Sequence, residues 1–137
     1  MKTLKIGFVG YSYSKFSVDQ AKTILNKIFE EDILKYIDKY DTIEIVTGAT
    51  NLGIPGLVYQ YAEPYAYKTV GIMCKEGYTC ELYPCDQIYA IGEHWGDESK
   101  FFINYIDILY KIGGGPQSER EADMARMKYK PVYEFQL

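Results

Sequence analysis

Three short apolar runs, each closed by a glycine and followed by a helical pattern, constrain this chain more than any other feature. Leu4 to Val9 runs into Gly10, Thr42 to Thr47 into Gly48, and Ile108 to Ile112 into Gly113. A short, continuous apolar run bounded by a turn signal is the pattern of a strand buried on both faces. Such strands, alternating with helices, call for a parallel sheet joined by right-handed crossovers. The expected fold class is therefore α/β, a Rossmann-like three-layer α/β/α arrangement with a mostly parallel sheet.

The intervening segments complete that pattern. Ala21, Ile24, Leu25, Ile28 and Phe29 recur at three and four residues and predict a helix from Ser17 or Val18. Ser17 followed by Gln20 has the form of a capping box at its start. A further helical piece is expected over Ile33 to Tyr40, and helices over Leu57 to Tyr65, Glu98 to Asp107 and Ser118 to Lys128. Additional strands are expected at Thr69 to Cys74, Gln87 to Gly92 and Pro131 to Phe135. No linker, repeat or low-complexity stretch interrupts the 137 residues, so one domain over 1–137 is expected.

The strand C-termini of an open parallel sheet share one edge, and ligands bind in the crevice there. Glycine lets the backbone approach an anion closely, and the helix that follows presents unpaired N–H groups and a positive dipole end. Two loops, Gly48 to Gly56 and Gly113 to Ser118, are thus the expected phosphate and ribose cradle. The candidate binding residues are Gly10, Tyr11, Ser12, Gly48, Ala49, Thr50, Asn51, Gly53, Gly114, Gly115, Pro116, Gln117 and Ser118. Neither G-x-G-x-x-G nor G-x-x-x-x-G-K-[ST] occurs, so a dinucleotide fingerprint and a P-loop are both excluded.

Composition narrows the partners. The net charge is −4, and no basic stripe is present, which argues against nucleic acid. No run of about 18 apolar residues predicts a membrane span, and the glycine-rich N-terminus does not read as a signal peptide. A cytoplasmic location follows as the expectation. Cys74, Cys80 and Cys85 lie too far apart for paired zinc-ligand spacing, and His94 is the only histidine, so no metal site and no cofactor are expected. The cysteines read as reduced thiols in and beside a buried strand. Fifteen tyrosines are present; Tyr11 and Tyr13, beside the first glycine turn, are placed to stack on a base, and Ser12 and Ser14 to contact ribose. Packing and turn chemistry are the alternative roles. The run from Glu93 to Glu98 groups one histidine, Trp95 and three acids: either a lid whose indole stacks on a base or a solvated acidic loop.

Taken in order, these blocks resemble the SLOG superfamily, the Rossmann-like group that includes the Lonely Guy phosphoribohydrolases, once described as putative lysine decarboxylases. Gly7 to Ser12 is similar to the family's first strand and turn. Val46 to Gly56 matches V-x-G-G-G-x-x-G-L-M-G at Gly48, Gly53 and Gly56, with Ala49 and Thr50 replacing glycines. Tyr67 to Ile72 is similar to the strand G-G-x-V-I-G-V. Asp107 to Glu121 resembles D-A-x-I-x-L-P-G-G-x-G-T-x-x-E, matching at Asp107, Gly114, Gly115 and Glu121. The resemblance implies that Glu121 faces the ribose, where the hydrolases carry a catalytic carboxylate that stabilises an oxocarbenium-like centre or activates water. The alternative is a carboxylate satisfying the helix dipole. Nine residues before Asp107 the hydrolases have arginine and this chain has Glu98; Lys100 and Arg120 are the available substitutes. A homodimer is implied too, through Leu57, Val58 and Tyr61.

Two functions fit that pattern. One is a sensor or sequestering protein for a nucleotide or an ADP-ribose-like signal, as SLOG domains are in antiviral signalling. The other is cleavage of the N-glycosidic bond of a nucleoside 5′-monophosphate. The carboxylate where the hydrolases have arginine leans toward binding. Processing of single-stranded DNA, known for some SLOG relatives, is disfavoured by the acidic charge.

Overall fold

Period-two alternation decides how the strands distribute their side chains. In the strand Thr3–Gly10 (β1), Leu4, Ile6 and Phe8 enter one core cluster and Val9 the other. Ile43 and Ile45 of Thr42–Thr47 (β2) join the first cluster and Val46 the second. Ile108, Tyr110 and Ile112 of Ile108–Ile112 (β5) divide from Leu109 in the same way. A sheet buried on both faces must be covered on both, and helices do so. The computed structural model describes residues 2–12 and 15–137; Tyr13 and Ser14, expected beside the ligand, lie outside them.

The helices Val18–Lys27 (α1) and Gly53–Ala62 (α2) cover one face with Ala21, Leu25, Ile54 and Val58. Ser99–Tyr105 (α3) and Pro116–Met127 (α4) cover the other with Phe102, Ile103, Ala122 and Ala125. With Lys68–Met73 (β3), Gln87–Ala90 (β4) and Val132–Phe135 (β6), the six strands run in the order β4-β3-β2-β1-β5-β6. Each neighbouring pair is parallel. This is the three-layer, Rossmann-like α/β/α fold. The chain adds β2, β3 and β4 on one side of β1, then crosses back to place β5 on the other. The loops after β1 and β5 therefore diverge, and the crevice between them is the topological switch point.

Local signals set the helix starts. The Ser17 hydroxyl accepts from the Gln20 N–H at 3.2 Å, the expected cap of α1. That helix continues through a wide turn, Ile28–Asp32, and a tight one, Ile33–Tyr36. Two helices begin earlier than their apolar spacing suggests. α2 opens at Gly53 rather than Leu57, so the second half of the expected glycine loop is its first turn. α4 opens at Pro116 rather than Ser118. Proline is at home in both first turns, where its missing N–H would have no partner anyway.

Asp107, one of the four matched positions of the last motif, serves the sheet and lies at the edge opposite the glycine loops. Its carboxylate accepts from the Lys5 N–H at 2.9 Å and its own N–H donates to the Lys5 carbonyl at 2.7 Å. Val58 is fully enclosed in the chain's own core, with Leu57 and Tyr61 packed against it. The Tyr61 hydroxyl donates to the Lys22 carbonyl at 3.3 Å, so this face of α2 packs on α1 within the chain, while Leu57 and Tyr61 keep part of their surface exposed. Among the described residues, no helix is long and apolar enough to cross a membrane.

Candidate functional site

A cavity of about 270 Å³ opens at the switch point, near the lower end of the range for small-molecule sites. The turn after β1 contributes Gly10, Tyr11 and Ser12; the turn after β2 contributes Gly48, Ala49 and Thr50; the start of α4 contributes Gly115, Pro116, Gln117 and Ser118. Trp95 and Glu121 complete the expected residues that line it. A second hollow of about 300 Å³ adjoins it, lined by Ser12, Thr50, Trp95 and Gln117.

Three of the candidate residues stand behind this wall. Asn51 donates through its side chain to Glu81 at 2.7 Å and through its N–H to the Glu81 carbonyl at 2.9 Å, pinning the second loop. Gly53 lies under the Tyr11 carbonyl, which accepts the Ile54 N–H at 2.8 Å. Gly114 has φ +121°, a conformation reserved in practice for glycine, and a Cβ there would meet Ser118. Gly48 and Gly115 differ from these. No atom lies within 4 Å of where their Cβ would be, so their bare backbone faces open space.

The electrostatics are unusual for a site expected to hold an anion. No Lys or Arg is among the described lining residues; Lys100 and Arg120, the expected substitutes for the missing arginine, are not in the wall. The cationic character comes from backbone. Gly115, the residue before α4, offers no side-chain cap, so the N–H groups of the helix's first turn lack intrahelical partners, and its dipole points its positive end at the cavity.

Two carboxylates sit on the other side. Glu98 and Glu121 are 6% and 5% exposed. The Gln117 amide lies between them, donating to Glu98 at 3.3 Å and to Glu121 at 3.4 Å. Glu98 also accepts the Gly96 N–H at 2.8 Å, and Glu121 the Ser99 hydroxyl at 2.9 Å. Burial pushes the Glu121 carboxyl up to about 7, against the pull of the Ser99 and Gln117 hydrogen bonds, with Glu98 raising it further and Arg120 lowering it. Glu98, which takes the place of the family arginine, is thus a second buried carboxylate beside the first.

Sequence reasoning missed Thr47, Glu98 as a wall residue, and the apolar lining from Phe8, Val9, Pro55, Ile72, Met73 and Phe102. Thr47 is 1% exposed and its Oγ1 has no hydrogen-bond partner. It reads in sequence as an ordinary β-branched strand residue. Trp95, 45% exposed, sits on a pinned loop. Its N–H donates to Glu76 at 2.9 Å, and Asp97 accepts the N–H groups of Glu93 and His94, each at 2.9 Å. Those two hydrogen bonds hold the Asp97 carboxyl below its ordinary range. Tyr11 stacks on Phe16 with ring centroids 6.2 Å apart. Of the cysteines, Cys74 is buried, and burial raises its thiol pKa. The described residues hold no cluster of metal-ligating side chains.

No family model matches the sequence, and no curated protein matches it. Solved structures do. The chain is similar to the molybdenum cofactor carrier protein of Chlamydomonas reinhardtii at 18% identity and TM-score 0.76, covering 97% of this chain and 76% of that one. It is similar to the molybdenum cofactor binding protein of the phototrophic bacterium Rippkaea orientalis at 19% identity and TM-score 0.77, covering 100% and 78%. A structural-genomics target matches at 23% identity and TM-score 0.73, covering 94% and 72%. At such identities the likeness establishes the fold. It also corrects the expected family: the structural relatives are molybdenum-cofactor proteins, not SLOG-type phosphoribohydrolases or antiviral signalling domains. Glycine-ended strands feeding helices recur across Rossmann-like folds, so such motif matches report the fold.

Proposed function

We propose that this chain carries or sequesters a phosphorylated heterocycle of the molybdenum-cofactor kind, with the phosphate at the start of α4 and the ring in the cavity. One observation carries the reading. At the switch point the uncapped N-terminus of α4 opens onto a walled cavity, between two glycines whose missing Cβ atoms leave room for a ligand. Gly48, Gly115, Gln117 and Ser118 form the cradle, and Val9, Ile72 and Phe102 supply apolar walls. The names of the similar solved structures agree with a carrier.

The donor set fits such a cargo through its organic part. The chain offers hydrogen bonds and apolar walls, and leaves the metal to the cofactor's own donor atoms. A carrier needs no reaction at the site, so Glu121 acts here as a binding group.

A thermal-shift series with inorganic phosphate and a pterin monophosphate, followed by chromatography of the recovered ligand, tests this reading. A ligand at a hundred times its Kd should stabilise the fold by about 2.7 kcal/mol. The pterin monophosphate should raise the melting temperature and return intact. No shift, or recovery of a cleaved ligand, would contradict a carrier.

A further inference from the structure

We propose that Glu98, Gln117, Glu121 and Thr47 form a recognition edge that selects rings presenting two adjacent N–H donors beside a carbonyl, the 2-amino-4-oxopyrimidine edge shared by pterins and guanine. This rests on the reading of the cavity as a site for a phosphorylated heterocycle, and it names the ring.

Two independent observations converge on this cavity. The first is a pair of acceptors. Glu98 and Glu121 line the wall, both nearly sealed from solvent, with no cationic side chain in the lining to balance them. Buried carboxylates left without a matching charge are costly unless donors satisfy them. Gln117, Ser99 and the Gly96 N–H supply some of those donors, yet each carboxylate oxygen carries two lone pairs. The second is a polar group with nothing to bond. Thr47 lines the same cavity, and its buried hydroxyl has no partner. An orphaned hydroxyl in a native interior calls for a missing partner.

The occupant that answers both is a ring and not a cation. The Gln117 amide already donates to both carboxylates, and the described residues hold no group of three metal-ligating side chains there. The walls from Val9, Ile72 and Phe102 are apolar and suit a planar heterocycle. On a 2-amino-4-oxopyrimidine, the ring N–H and the amino group point the same way and meet one carboxylate in a bidentate pair. The neighbouring carbonyl is an acceptor for the Thr47 hydroxyl. Adenine fails the same test, because its ring nitrogen beside the amino group is an acceptor and would face a carboxylate lone pair.

Titration calorimetry of the full chain at pH 7 with four monophosphates decides the matter: guanosine, inosine and adenosine 5′-monophosphates and 6-hydroxymethylpterin phosphate. The pterin and guanosine compounds should bind at least about tenfold more tightly than the adenosine compound, with inosine between, as one bidentate pair implies. Glu98→Gln should erase that preference. Should that variant not fold, the wild-type series stands alone as the test. Equal affinity for all four would overturn the recognition edge while leaving the phosphate cradle intact. No binding of any of them, nor of inorganic phosphate, would overturn the cradle as well.

Discussion

The buried aromatic face of the first strand and its C-terminal tip do opposite work. Along its length Phe8 stacks on Phe29 at 5.8 Å and on Tyr110 at 5.3 Å, and Phe29 stacks in turn on Tyr65 and Tyr67. That face is an aromatic core between β1, β5 and the two helices α1 and α2. A few residues on, the same strand reaches Gly10 and a cavity with two buried carboxylates and an unpartnered threonine. The Tyr67 hydroxyl is likewise unpartnered on the aromatic side, but it lines neither of the two hollows at the switch point. One region is packed for stability; the other keeps polar groups that cost stability and that only a ligand would repay. The contrast is the usual signature of a site held at the expense of the fold.

The largest way to break that comparison is to empty the stable side. Phe29→Ala removes a fully buried ring with several aromatic neighbours and should cost roughly 3–5 kcal/mol in chemical denaturation. A loss under about 1 kcal/mol would mean that the aromatic side does not carry the fold.

The next concerns the costly side, and its sign is opposite. The Glu121 carboxyl is held at about 7 in the folded chain against an ordinary value of 4.5. The folded state therefore binds the extra proton. The stability this contributes is complete below about pH 4.5 and is lost as pH rises through 7. Glu121→Gln, which keeps an acceptor for Ser99, should gain on wild type by roughly 2.5 kcal/mol between pH 5 and pH 8. Melting curves across that interval check it; a difference that does not change with pH would show that Glu121 titrates normally.

A smaller effect of the same sign is expected at Thr47. Thr47→Val replaces the unpartnered hydroxyl with a methyl group of similar size and should be neutral or stabilising by about 1 kcal/mol, while weakening the bound ligand. A clear destabilisation would mean that the hydroxyl is satisfied within the chain.

The stable half was the more legible in the sequence, because packing writes itself as periodicity. Leu4 to Val9 and Ile108 to Ile112 declared buried strands, and Ser17 with Gln20 declared a helix start that the structure bears out. The start of α2 was hidden, since Gly53, Pro55 and Gly56 read as a turn where they form a first helical turn. The cavity's location followed from glycines at one topological position. Its floor did not. Glu98 differs from the residue a motif would place there, and its partnership with Glu121 depends on Gln117 and on α3 packing against α4, which no spacing rule reports. Thr47 differs from any other strand threonine only in lacking a partner, a property of the folded surroundings.

The most direct test of the central claim is Gly115→Asp. The position has room for a side chain and a backbone φ of −96° that any residue adopts, so the fold should be untouched. The new carboxylate enters the proposed phosphate cradle, where two like charges about 4 Å apart repel by about 4 kcal/mol near a protein surface. Titration calorimetry with 6-hydroxymethylpterin phosphate should show affinity falling by about a hundredfold or more at an unchanged melting temperature. Unaltered affinity in a folded variant would place the phosphate elsewhere and contradict the account.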